Sequence, residues 1–291
     1  VSAAIEISQL RKSYDGVTVI DGLDLAVERG EIFALLGPNG AGKTTTVEIC
    51  EGFRRADGGR VAVLDTDPRR ASANWRSRIG IVAQQTTDFE DVTVAEAVDI
   101  VAGLFLRPRP PAAVIDAVGL TEYRNVRGNK LSGGLRRRLD VALGIVGDPE
   151  LLFLDEPTTG FDPESRRQFW ELIRGLNESG TTILLTTHYL DEAEHLARRV
   201  GVIAAGRVLE IGSPTVIGGR DEAEAMVRWV DEDSLHEERT ATPTALIASL
   251  QVHFGGEIPG LVVERPTLED VYVRMIERAN QSQAAAREAR S

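Results

Sequence analysis

The run Gly37-Pro38-Asn39-Gly40-Ala41-Gly42-Lys43-Thr44 has the spacing G-x-x-x-x-G-K-[ST] at every fixed position. Those residue types suit one task, holding a chain of phosphates. Glycines let successive backbone N–H groups turn inward around phosphate oxygens, and a helix beginning there adds positive potential. Lys43 is long enough to reach the β- and γ-phosphates, the Thr44 hydroxyl is a ligand for Mg²⁺, and Thr45 follows in the first helical turn. The apolar run Ile32–Leu36 predicts a strand entering the loop, and Lys43–Glu51 predicts a helix leaving it. A chance glycine-rich turn would not come with both.

A second constellation lies further on. Leu151-Leu152-Phe153-Leu154-Asp155-Glu156 is four apolar residues ending in two carboxylates. A buried strand of this kind delivers Asp155 at its C-terminal edge, beside the phosphate loop, where ligands sit in doubly wound sheets. Asp155 is therefore expected to serve Mg²⁺, directly or through water, and Glu156, pointing elsewhere, to polarise a water at the γ-phosphate. A guanine-specific enzyme would need Asn-Lys-x-Asp, but Asn129-Lys130-Leu131-Ser132 puts Ser where the Asp must be. The overlapping run Leu131-Ser132-Gly133-Gly134-Leu135-Arg136-Arg137-Arg138 instead offers a hydroxyl and free N–H groups at a helix start, hence a second anion site.

With these residues in view, the chain resembles the ATP-binding cassette (ABC) ATPases over nearly all of residues 3–218. The phosphate loop and the Asp-Glu strand correspond to that family's Walker A and Walker B elements. Leu131–Leu135 resembles its LSGGQ signature, departing only at Leu135, and Ser132, Gly133 and Gly134 keep the phosphate-contacting types. The resemblance makes Gln84 the Q-loop glutamine, touching Mg²⁺ and linking the site to a helical insertion, although Gln85 is adjacent. It makes Gly160-Phe161-Asp162 the D-loop, His188 the switch histidine at the γ-phosphate, and Tyr14 the aromatic that stacks on adenine. A lone histidine is more often a packing residue, but His188 follows a buried strand in order after Asp155. His195 is expected to face solvent or pack on its own helix, Asp162 can equally be a turn residue before Pro163, and Trp75, Trp170 and Trp229 are expected to pack.

The family's design also implies partners. The signature of one cassette closes over the nucleotide of another, and this chain has one copy of each element. The expectation is a head-to-tail pair with a second, identical ABC ATPase subunit, sandwiching two ATP with Mg²⁺. Phe53-Arg54-Arg55, the Thr93–Leu106 stretch, the Ser-Gly-Gly-Leu-Arg-Arg-Arg-Leu-Asp run and Pro266–Tyr272 look like the drug-resistance and lipid-exporter branch. That implies the ATPase subunit of an exporter, driving a separate integral-membrane permease from the cytoplasmic face of the membrane. The alternatives are a soluble cassette protein acting on ribosomes or DNA, and a regulator without catalysis. Ribosomal types need two cassettes, and DNA-repair types need a long coiled coil between Gly37 and Asp155, where no sustained heptads occur. Every catalytic position expected of an active enzyme is filled.

Positioning these residues requires a mainly parallel sheet covered by helices, an α/β P-loop NTPase with an ABC-type mixed sheet core. Ile32–Leu36, Leu151–Leu154 and Thr182–Thr186 read as strands buried on both faces, and Val200–Ala204 with Arg207–Ile211 as a hairpin joined at Gly206. Between about 86 and 150 helical spacing dominates, predicting a helical subdomain. Residues 1–218 are expected to form the ATPase domain and 219–291 a small α+β accessory domain. In the latter, the acidic run Asp221–Glu238 reads as a solvated face or linker, Thr244–Leu250 as a helix, Leu261–Glu264 as a strand, and 279–291 as a frayed tail. A last helix starts after Pro266 with Thr267 as N-cap and Asp270 three residues on.

The 291 residues carry 33 Lys and Arg against 45 Asp and Glu, a net charge of −12. Half of that excess lies in residues 220–291, with 8 basic and 14 acidic residues. The balance argues against a general phosphate-backbone binder, so no nucleic-acid partner is expected. With Cys50 alone no internal disulfide forms, and 42% hydrophobic residues suffice for a core. No run approaches the roughly 18 apolar residues of a membrane-spanning helix, and Glu6, Arg11, Lys12 and Asp15 interrupt any leader-like stretch.

Overall fold

The structure is a computed structural model describing residues 3–84, 89–232 and 234–288. It divides into two units, Val1–Ile211 and Gly212–Ser291.

The first unit opens with a hairpin, β1 (Ala3–Tyr14) and β2 (Val17–Glu28). Asp15 (φ 48°) and Gly16 (φ 81°) form its two-residue turn, the left-handed pair that matches strand twist. β3 (Ile32–Leu36) leads into the phosphate loop and α1 (Lys43–Cys50), followed by β4 (Gly58–Val63), α2 (Ala73–Arg76) and β5 (Ile79–Val82). Three helices then intervene: α3 (Val94–Ala102), α4 (Pro111–Ala117) and α5 (Gly133–Ile145). The Thr93 hydroxyl accepts from Glu96 N while Glu96 accepts from Thr93 N, a capping box that fixes the start of α3. The chain returns to the sheet through β6 (Leu151–Asp155), α6 (Pro163–Glu178), β7 (Thr182–Thr187), α7 (Leu190–Leu196), β8 (Arg199–Ala204) and β9 (Arg207–Gly212).

These strands form two sheets, β2-β1-β4 and β5-β6-β7-β3-β8-β9. The first is antiparallel; in the second β5, β6, β7, β3 and β8 run parallel. All five residues of β3 and all six of β7 are buried, as central strands covered on both faces require. β8 and β9 are joined by Ala205 (φ 50°) and Gly206 (φ 74°) in a two-residue turn, which makes that pair a hairpin. The α/β class and mixed sheet core read from the sequence are those observed. One apolar core joins Ile5, Leu10 and Leu23 of the antiparallel sheet to Val47 and Cys50 of α1 and to Phe33, Phe153 and Leu184 of the larger sheet. α1 is thus held from both sides. Burial pushes the Cys50 thiol far up, so it is a packing residue. Trp75 is buried too, donating Nε1–H to Val63 O at 2.8 Å.

The second unit contains β10 (Ala225–Asp231), β11 (Ser234–Thr240), α8 (Pro243–Phe254), β12 (Val262–Glu264) and α9 (Leu268–Glu288), with strand order β11-β10-β12. Its small core is Val227, Leu250 and Ile258 with Trp229, Leu246 and Phe254 against them. The acidic run read as a solvated face or linker is the β10–β11 hairpin. Alternate residues Ala225 and Val227 turn inward while β11 keeps its carboxylates in water. The division falls at 211/212 instead of 218/219, because the segment after it is stitched to the end of its own unit. Arg220 donates to Pro266 O (2.8 Å) and Pro214 O (2.7 Å), and a Cβ on Gly218 would lie 2.0 Å from Val271 Cγ1. Thr267 and Asp270 exchange capping hydrogen bonds at 2.8 and 3.1 Å at the start of α9. The tail expected to fray from 279 is a continuation of this helix as far as Glu288, in keeping with its Ala, Gln, Glu and Arg content.

Helix α5, which carries the Ser-Gly-Gly start, rests on β5 through glycines. A Cβ on Gly80 would lie 2.2 Å from Gly144 O, and one on Gly144 would lie 2.9 Å from Val82 Cγ2. Gly80→Ala is therefore expected to cost about 1–3 kcal/mol through overpacking. Calorimetry of the variant should show a lower Tm, whereas an unchanged Tm would mean that α5 lifts freely.

Candidate functional site

The phosphate loop is shaped by a close approach, two left-handed glycines and a helix start. Gly37 lies so near β8 that a Cβ would meet Ile203 O at 2.5 Å. Gly42, at φ 101°, is the N-cap of α1, and Gly40 is also left-handed with open space where a Cβ would project. Ala41 N donates to Pro38 O at 3.2 Å, closing the turn, and Thr46 ties the other side through its N and Oγ1 to Gly42 O at 2.9 and 2.8 Å. Pro38, Asn39, Gly40 and Thr44 are exposed, Thr45 is half-buried, and Lys43 is only 6% exposed. Lys43 Nζ donates to Gly37 O (2.7 Å) and Pro38 O (3.3 Å). Burial pulls its pKa down, while Glu156 and then Asp155 pull it back. A left-handed glycine pair, first-turn N–H groups without helical partners and a desolvated lysine form a cradle that fits a polyphosphate.

Parallel register brings the remaining groups to the same edge. Leu36 pairs with Thr187 and Asp155 with Thr186, so β3, β6 and β7 finish side by side. The Thr186 hydroxyl donates to Asp155 Oδ1, and Glu156 N donates to Thr186 O at 3.1 Å and Oγ1 at 3.2 Å. Glu156 itself takes φ 43°, a left-handed conformation that L-residues seldom adopt. Its Oε2 accepts from Gln84 Nε2 at 3.1 Å and lies 3.3 Å from His188 Nδ1. Two residues expected at the reaction centre, Gln84 after β5 and His188 after β7, thus converge on one carboxylate oxygen of a third, Glu156 at the end of β6. Gln85 lies outside the described residues. Thr44 and Asp155 are the oxygen donors that could hold Mg²⁺, a cation commonly bound by one or two protein groups plus phosphate oxygens.

The other expected residues are placed differently. Ser132 and Gly133 are exposed at the start of α5, where Ser132 Oγ accepts from Leu135 N at 3.4 Å, and Gly134 packs near Ser165. Asp162 caps α6, accepting from Glu164 N and Ser165 N, each at 3.0 Å, and its carboxyl is held below the usual range first by the Ser165 hydroxyl. The Tyr14 ring already carries cations, Lys12 Nζ at 5.1 Å and Arg54 Cζ at 5.6 Å from its centroid, so a purine there would share or displace them. His195 is exposed and stacks on Trp170, their rings 4.5 Å apart.

Three residues escape a reading of the sequence. Thr186 joins both carboxylate positions; its signal is a hydroxyl in a buried strand, which must find a partner. Arg137, in the middle of an arginine run, is buried with its guanidinium on backbone carbonyls. Glu192 of α7 is fully buried beside Thr187, Thr158, Trp170 and Arg166, between the D-loop and the His188 turn, and burial raises its pKa. Neither of the last two is signalled without knowing which face of its helix turns inward.

A phosphate loop on β3, carboxylates ending β6 and a strand order switching at β3 define a P-loop NTPase. The ABC transporter family matches residues 20–159. The daunorubicin/doxorubicin resistance ATP-binding protein DrrA of Streptomyces peucetius is 46% identical over 215 residues, 72% of this chain but only 65% of that protein. Daunorubicin resistance ATP-binding protein DrrA2 of Streptomyces coeruleorubidus is 37% identical over 304 residues, 94% of each. The Nod factor export ATP-binding protein I of Paraburkholderia xenovorans strain LB400 is 42% identical over 222 residues, 74% of this chain and 72% of that one. Among solved structures, CbiO1 of Clostridium perfringens, part of the ABC transporter complex cbiONQ, superposes with TM-score 0.70 at 26% identity, over 76% of this chain and 93% of that one. The chain belongs to the ABC transporter family, as an ATP-binding and ATP-hydrolysing subunit of the branch that holds the daunorubicin-resistance ATP-binding proteins.

Glu192 gives a test of the buried polar cluster. A carboxyl whose native pKa is raised adds stability below its unfolded pKa and loses it as pH rises through the native value. Glu192→Gln, neutral at every pH, should therefore gain in Tm over the parent as pH rises from 5 to 9. A Tm difference that stays flat across that range would show that Glu192 ionises as freely folded as unfolded.

Proposed function

We propose that the chain is the ATPase subunit of an exporter, which pairs head to tail with a second copy around two ATP and drives a separate membrane permease. The observation that carries the hydrolytic part is the convergence of Gln84 and His188 on Glu156 Oε2 at the end of β6. Lys43 and the N–H groups of Gly40 and Gly42–Thr45 hold the β- and γ-phosphates, with Pro38 and Asn39 forming the outer wall of the loop. Thr44, Asp155 and Gln84 would hold Mg²⁺, which would supply positive charge at the transferring phosphate. Glu156 orients the attacking water and accepts its proton, and His188 steadies the γ-phosphate. Tyr14 faces the adenine.

Exposure and copy number support the pairing. Ser132, Gly133 and Gly134 present a hydroxyl and helix-start N–H groups outward, and the exposed Asp162 caps the neighbouring α6. In the proposed pair these reach the γ-phosphate held by the other copy, so ATP joins the halves and its hydrolysis releases them. Among the described residues no helix is long and apolar enough to cross a membrane. A permease at the cytoplasmic face would supply the spans. A cavity of about 440 Å³ lined by Phe53, Arg54, Arg55, Arg76 and Phe105 supports docking there, with Phe53 and Leu104 exposed at 72% and 79%. Likeness to relatives named for drug resistance and for Nod factor export favours export. The second unit is proposed to adjust pairing or permease binding.

Glu156→Gln should bind ATP with unchanged affinity, hydrolyse it about 10²-fold or more slowly, and accumulate as an ATP-bound dimer by size exclusion. Hydrolysis at the parent rate would remove Glu156 from the mechanism. Lys43→Ala should abolish steady ATPase activity, and Phe53→Asp should lose co-purification with a multi-span membrane protein while keeping nucleotide binding.

A further inference from the structure

Arg137 is in the second turn of α5, five residues after Ser132, and is 6% exposed. A guanidinium taken out of water costs several kcal/mol unless its N–H groups are met. Here they are met almost entirely by main chain. Nε donates to Pro157 O at 3.0 Å, Nη2 to Asp155 O at 2.9 Å and Nη1 to Ala83 O. Asp140, one turn on, lies 3.8 Å from Nη1. Three carbonyls are an unusual destination, since a lone carboxylate would satisfy the fork more cheaply.

The identity of those carbonyls gives the arrangement its meaning. Asp155 O and Pro157 O flank Glu156, and Ala83 O immediately precedes Gln84. Glu156 stands between the first two in the left-handed conformation, φ 43°. Such a residue persists only where its surroundings over-determine it. Its N–H is held by Thr186, and the carbonyls of the residues before and after it are held by Arg137. The same guanidinium fixes the strand end from which Gln84 reaches Glu156 Oε2.

We infer that Arg137 is a positioning residue for hydrolysis: by clamping Asp155 O, Pro157 O and Ala83 O it holds Glu156 in its strained turn, with Gln84 against it, and fixes the start of α5 to that turn. This rests on the reading of Glu156 as the residue that orients water. Arg137 touches neither nucleotide nor water; it sets where the Glu156 carboxylate points. Arg136 and Arg138 cannot substitute. Arg138 is spent on Val118 O (2.9 Å) and Gln168 (3.2 Å), and Arg136 lies on another face of the helix, 3.8 Å from Asp140.

The test uses the full chain with Arg137→Gln and Arg137→Lys, alone and combined with Glu156→Gln. Displacing a water-orienting group by about 1 Å costs about 10²-fold. Arg137→Gln should therefore lower kcat by about that factor, with KM and the affinity for a fluorescent ATP analogue within about twofold of the parent. Arg137→Lys, whose ammonium can bridge fewer carbonyls at once, should recover part of the loss. In the Glu156→Gln background Arg137→Gln should change the residual rate little, because the group it positions is gone. If Arg137→Gln does not fold, Arg137→Lys carries the same comparison. Parent-like kcat in either folded variant overturns the inference, as does an equal loss of kcat and nucleotide affinity that multiplies with Glu156→Gln. Failure of the Glu156 reading is recognised separately, by a parent-like rate in Glu156→Gln alone.

Discussion

The parallel hydrogen-bond register of β6, β7 and β3 is the constraint on which the site depends. Because Leu36 pairs with Thr187 and Asp155 with Thr186, three chain segments far apart in sequence end within a few residues of one another. The phosphate loop leaves one of them, the carboxylates leave the second, and His188 leaves the third. A slip of one position in any strand would carry its terminal polar residue away from the others. β3 and β7 are buried along their whole length, so the polar groups of this edge are carried on strands anchored in the core.

Burial also shapes the electrostatics. Lys43 sits in a desolvated loop whose carbonyls hold it, with two carboxylates nearby opposing the fall in its pKa. The same desolvation raises the pKa of the Cys50 thiol and of the Glu192 carboxyl. Thr186 then fixes the geometry of the carboxylates without adding charge.

Much of this is legible in residue types alone, for physical reasons. Gly37, Gly40 and Gly42 are needed because backbone must approach backbone or turn left-handed, and Lys43 and Thr44 follow from what phosphates and Mg²⁺ require. Apolar runs such as Leu151–Leu154 identify themselves because a strand covered on both faces has no polar side. Arg137, Thr186 and Glu192 are hidden because their roles arise from helix phase and cross-strand neighbours, which a one-dimensional pattern does not carry. The acidic segment at 221–238 does not announce itself as a strand pair because its alternation is weak: Ala225, Val227 and Trp229 serve a core too small to demand more. At 279–288, helix-forming residues extend a helix that polarity alone suggests would end.

The glycine contact between β5 and α5 gives the signature helix a fulcrum. Gly144 lies near the end of α5 remote from Ser132, and at 1.5 Å per residue the arm between them is about 18 Å. A tilt of about 10° on that bearing would sweep Ser132 through about 3 Å, yet Arg137, nearer the bearing, through only about 2 Å. Motion at Ser132 would thus reach the Glu156 turn geared down, in a ratio set by where along one helix the glycine and the arginine fall.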